Sequence, residues 1–184
     1  MIATLADAWA WYEAVQDLAG WMDRIARRYW DDPRLEELLG LDNTFRSVAA
    51  GEIQDRAKRV LEDLDDLAVL LLFSVFEAEV RGQTLKSVEK ELTSPPRHPA
   101  LGDAISVMRD TIQNGSFGLL TRMYRSLDPD LRTQVDQVRK FRNWVAHGRR
   151  GDAENEVTPA QSRERLERFL ALLAMWEPEI PETT

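Results

Sequence analysis

The chain has 184 residues and a mass of 21.2 kDa, a length that fits a single domain around one core. Apolar residues make up 43% and charged residues 30%, too apolar a balance for a disordered segment. Acidic side chains outnumber basic ones 32 to 24, for a formal charge of −8, which excludes a generally basic, histone-like nucleic-acid binder and a polybasic membrane-surface protein. The chain contains no cysteine. That removes disulfides, thiolate metal sites, iron–sulfur clusters and cysteine nucleophiles together, and fits a reducing, cytoplasmic compartment. The longest strongly apolar run, Leu67 to Phe76, falls far short of the ~20 residues that span a bilayer. The opening MIATLADAWAWYEAV lacks a basic segment and carries Asp7 and Glu13, so it is not expected to act as a secretory signal.

One stretch at most alternates like a strand, whereas helical periodicity recurs from end to end, so the class is all-α: an up-and-down helical bundle with an additional aromatic-rich helix at the N-terminus. Residues 3–30 place Leu5, Ala8, Trp9, Tyr12, Val15, Leu18, Ala19, Met22, Ile25, Ala26 and Tyr29 at three- and four-residue spacing, which defines one apolar face. Four of the six tryptophans and two of the three tyrosines fall in this segment, and packing in a core or an interface is their expected role. Asp31, Asp32 and Pro33 break the pattern, and Leu35 to Leu39 reads as a short helical turn ended by Gly40. Residues 1–50 thus form a helical extension to a bundle core at 52–148.

The core opens with a long helix from Glu52 to about Val80. Its second half, LAVLLLFSVFEAEV, is apolar nearly all round and interrupted by Ser74, Glu77 and Glu79, the pattern of a central helix. A break is expected at Gly82, then an amphipathic piece from Thr84 to Leu92. The connection through Ser94, Pro95, Pro96, Arg97, His98 and Pro99 cannot be helical. Helical pattern returns over Leu101–Ile112, stops at Asn114, Gly115 and Ser116, and resumes from Leu119 to Leu127. Asp128 followed by Pro129 predicts an N-cap and first-turn proline for a helix at 129–148, with Gly148 at its stop. Thr158 and Pro159 repeat that signature for a closing helix at 158–177, whose face carries Leu166, Phe169, Leu170, Leu173 and Trp176.

The helix at 129–148 carries the chemistry. At 100° per residue, Val138, Phe141, Trp144, Val145 and Gly148 fall on one side, and Arg139, Arg142, Asn143, His147 and Arg150 on the other within an arc of about 140°. Asn143 and His147 stand four residues apart and are expected to meet. From Arg139 to Gly151 there are five basic residues (Arg139, Lys140, Arg142, Arg149, Arg150) and no acidic one. A phosphate-bearing ligand would be drawn there and repelled elsewhere, since only charges within about 8 Å act at physiological salt.

The stretch QVRKFRNWVAHG resembles the signature of the HEPN superfamily, an all-α domain marked by Arg, a polar residue, further residues and then His. Here these are Arg142, Asn143 and His147, near the end of a late amphipathic helix and followed by glycine. The resemblance firmly covers about 15 residues. It implies a metal-independent endoribonuclease without cofactor, often a toxin or a component of anti-phage defence, with RNA as partner, a homodimeric assembly and, in some settings, a cognate antitoxin or defence protein. Such cleavage needs a proton acceptor for the ribose 2′-hydroxyl, a donor for the leaving 5′-oxygen and positive charge at the phosphate. An imidazole exchanges protons near neutral pH, and a guanidinium grips phosphate oxygens without losing its charge. His147 and Arg142 are the expected catalytic pair, with Asn143 orienting the imidazole or donating to the phosphate. Arg139, Lys140, Arg149 and Arg150 would contact the RNA backbone, and Glu77 would support Arg142 from the central helix.

A single chain supplies one such histidine, since His98 lies in the proline-rich connection. Two copies in an isologous dimer would provide both acid and base. Some HEPN toxins carry a tyrosine two residues after the histidine, where an antitoxin attaches nucleotides; here that residue is Arg149. Two other readings compete with catalysis: an inert HEPN-like module that binds RNA, nucleotide or protein, and a structural role in which His147 only complements the helix dipole.

Overall fold

The computed structural model of the chain describes residues 2–34, 37, 48–92, 98–124, 126–150, 152 and 156–175. Among these residues there are six helices and no strand: α1 (Leu5–Arg28), α2 (Ala50–Glu91), α3 (Pro99–Asn114), α4 (Phe117–Arg122), α5 (Pro129–Ala146) and α6 (Pro159–Ala174). The all-α bundle expected from periodicity is what the chain forms. No helix is long and apolar enough to cross a membrane among the described residues. The short turn expected at Leu35 to Leu39, the connection at 93–97 and Trp176 lie outside the described residues.

Local chemistry starts each helix where the sequence signals it. Thr4 and Asp7 make a reciprocal capping box on α1, and Thr158 and Gln161 make another on α6. Asp128 accepts from the backbone N–H groups of Asp130 and Leu131, with Pro129 in the first turn of α5. His98 caps α3, its Nδ1 accepting from the Ala100 N–H at 3.2 Å.

The 42-residue helix α2 organises the rest, packing against α1, α3, α5 and α6. Val69, Leu72, Phe73, Phe76 and Val80 are fully buried along it. Phe76 stands 5.5 Å from both Phe117 of α4 and Phe169 of α6, ring centre to ring centre, and Phe73 stands 5.2 Å from Phe117. Leu131, Val135, Val138 and Phe141 bring one face of α5 onto this aromatic cluster.

Two expectations are corrected. Gly82 does not divide the helix: α2 runs unbroken through it to Glu91. A glycine inside a helix costs only about 1 kcal/mol relative to alanine, and the surrounding turns outweigh that. On α1 the buried residues are Leu5, Ala8, Tyr12, Ala19 and Ala26, whereas Leu18 and Tyr29 of the expected apolar face are exposed, as are Trp11 and Trp21. Apolar residues cover more of this helix than α2 can bury. Leu5 and Ala8 join the main core. Tyr12 donates to Asp65 at 2.8 Å and belongs with Leu64 and Ala68 to a second small cluster. Burial, reinforced by that carboxylate, pushes the Tyr12 phenol up to about 12.

A Cβ added at Gly82 would meet no atom within 4 Å. Gly82→Ala is therefore expected to stabilise the fold by about 0.5–1 kcal/mol, a rise in Tm of roughly 1–4 °C for a domain of this size. A thermal melt with no rise would show that α2 is not continuous there in solution.

Candidate functional site

Arg142 rises from the third-last turn of α5 towards the polar side of α2. Its Nη2 donates to Glu77 Oε2 at 2.6 Å, and its guanidinium lies 4.7 Å over the ring of Phe73. Nη1 donates to Asn143 Oδ1 at 3.1 Å. The other oxygen of Glu77, Oε1, accepts from Arg81 Nη2 at 2.5 Å, and Arg81 also donates to the carbonyls of Ile112 at 2.6 Å and Gly115 at 2.8 Å. One carboxylate therefore bridges two guanidiniums and leaves the trio with one net positive charge. The side chains of Arg81, Glu77 and Arg142 are 17%, 21% and 25% exposed, screened enough for these bonds to matter and open enough for a ligand to reach them. The expected support of Arg142 by Glu77 is present as a direct ion pair.

His147 sits at the end of the same helix as its C-cap residue. Gly148 follows with φ +77 and Arg149 with φ +56, and their N–H groups donate to the carbonyls of Val145 (3.0 Å) and Trp144 (2.9 Å). This double closure is a Schellman turn. Gly148 suits its left-handed conformation; Arg149 does not. Arg149 is held there by ion pairs from α2, 2.5 Å to Asp66 and 3.0 Å to Asp63, and Asp66 foremost favours its charged form. The imidazole of His147 is exposed, and it makes no hydrogen bond or ion pair among the described residues. Its link to Asn143 is the backbone bond from the His147 N–H to the Asn143 carbonyl, 3.0 Å; the Asn143 side chain is turned to Arg142 instead.

The basic segment is less isolated than its sequence suggests. Arg139 pairs with Asp136 at 2.7 Å, and Lys140 lies 3.7 Å from the same carboxylate. With Arg149 paired to α2, Arg150 is the flanking cation that is exposed and makes no ion pair among the described residues. A count starting at Arg139 stops one turn short of Asp136, and no spacing rule brings in Asp63 and Asp66 from a distant helix. Arg81 was also missed, although its position four residues after Glu77 is a readable signal for an ion pair. His98 is occupied as a helix cap.

No family model, curated protein or solved structure matches this chain. The site therefore rests on its own geometry: a guanidinium fixed by a carboxylate, an amide beside it and an exposed imidazole at the end of one helix.

Glu77→Ala would leave both Arg81 and Arg142 short of a charged partner in a partly buried setting, a loss of about 1–3 kcal/mol. Urea denaturation of the purified variant measures it. A difference below about 0.5 kcal/mol would place the bridge among surface pairs of no structural weight.

Proposed function

We propose that this chain is a metal-independent endoribonuclease of the HEPN type, working as a homodimer in a toxin or defence setting, with a cognate antitoxin or defence protein as a further partner. The observation that carries the reading is the anchored guanidinium of Arg142 on the helix that ends in the exposed His147. Anchoring matters because a positioned cation at a phosphate needs no rearrangement when negative charge builds in the transition state.

In this mechanism the His147 imidazole of one copy accepts the proton of the ribose 2′-hydroxyl. The 2′-oxygen bonds to phosphorus, the bond from phosphorus to the 5′-oxygen breaks, and that oxygen takes a proton from the second copy's imidazole. Arg142 holds the non-bridging oxygens through the N–H groups that Glu77 leaves open. Asn143 orients the guanidinium, to which it is bonded, in place of the imidazole. Arg150 contributes a backbone contact, and Arg139, Lys140 and Arg149 do so to the extent that phosphate displaces their carboxylates. An inert RNA- or protein-binding module is the second reading, favoured by that same internal pairing of three flanking cations.

Wild type, Arg142→Ala and His147→Ala are to be compared on structured and single-stranded RNA with EDTA present. The ribonuclease reading predicts cleavage by the wild type and a loss on the order of 10²-fold or more in each variant. Equal cleavage by all three would end it, and binding without cleavage would select the second reading.

A further inference from the structure

The outward side of α1 carries a second pattern. At 100° per residue, Ala10, Trp11, Ala14, Leu18, Trp21 and Ile25 fall within an arc of about 100°, centred about 135° round from the residues buried against the bundle. Leu18 is 56% and Trp21 55% exposed, and Trp11, Ala10 and Ala14 are exposed as well. Large residues beside small ones give the ridges and hollows that a second helix fills.

One edge of this strip is a row of charges, Glu13, Asp17, Arg24 and Arg28, within an arc of about 60° by the same geometry. All four are exposed, and none makes an ion pair among the described residues. The row is acidic in its N-terminal half and basic in its C-terminal half. A two-fold axis across the strip sets α1 antiparallel to its copy and brings each edge against the same edge reversed. Because Glu13 to Asp17 and Arg24 to Arg28 are both steps of four, one register satisfies both pairs: Glu13 opposite the partner's Arg28, and Asp17 opposite the partner's Arg24. That register puts Trp21 within one residue of the axis, where a buried aromatic contributes most to an interface.

We propose that the outer face of α1 pairs antiparallel with α1 of a second copy of this chain, the apolar strip supplying affinity and the charge row fixing orientation and register. The pairing does not rest on the ribonuclease reading and leaves Arg142, Asn143 and His147 untouched.

The test is charge reversal in the full-length chain, followed by sedimentation equilibrium. Arg24→Glu with Arg28→Glu makes the row wholly acidic; Glu13→Arg with Asp17→Arg makes it wholly basic. Each double variant alone is expected to show self-association weakened about ten-fold or more. An equimolar mixture should restore the wild-type mass, and the quadruple variant carrying all four reversals should self-associate again, which a misfolded protein would not do. A wild type that stays at 21.2 kDa at tens of micromolar overturns the proposal. So does a double variant that keeps the wild-type mass, or a mixture that fails to associate. Loss of RNA cleavage in Arg142→Ala or His147→Ala is read separately and bears only on the site.

Discussion

Glu77 is the point at which this bundle is locked to its polar site. Its carboxylate sits on the central helix and divides its two oxygens between Arg81 and Arg142. Arg81 spends its remaining donors on the backbone carbonyls of Ile112 and Gly115, at the end of α3 and in the turn into α4. The carboxylate thereby joins α2, the α3–α4 turn and α5 through charge-assisted bonds, which are the strong ones among hydrogen bonds. Hydrophobic burial sets which helices pack, through Phe73, Phe76, Phe117 and Phe169. The bridge sets how α5 is turned once packed, and therefore where Arg142 points.

The same residues give the site its electrostatic character. A lone arginine on an exposed helix samples many rotamers, and holding it for a ligand costs entropy. Arg142 is held already, by Glu77, by the ring of Phe73 and by Asn143, and the trio retains one positive charge. The remaining cations are more fully compensated. The charge of −8 is therefore spread over a surface that opposes a polyanion nearly everywhere, with its relief concentrated at Arg142 and Arg150.

Much of the fold was legible because helix signals are local. Caps at Thr4, Asp128 and Thr158, the first-turn prolines 129 and 159, and Gly148 in its left-handed turn are written within a few residues of where they act. What escaped a sequence reading depends on the sum over a helix or on distant partners. Gly82 is a local break signal overridden by the long helix around it. The exposure of Leu18 and Tyr29 follows from how much of α1 the bundle covers, which periodicity does not contain. At the site, Arg142, Asn143 and His147 form a short motif on one helix and were readable; the Glu77 to Arg142 contact was legible because a carboxylate in an apolar helix demands a partner. The pairing of Arg149 with Asp63 and Asp66 was not, since it is made only when the end of α5 reaches α2.

The claim at the centre of this account is that the Arg142–His147 cluster cleaves RNA through the ribose 2′-hydroxyl. The most direct measurement uses an RNA with a mapped cleavage position and the same RNA carrying a single 2′-deoxy sugar immediately 5′ of that phosphodiester. The account predicts that the wild-type protein leaves the substituted linkage intact while still cutting elsewhere. Cleavage at the deoxy position at the unmodified rate would contradict it.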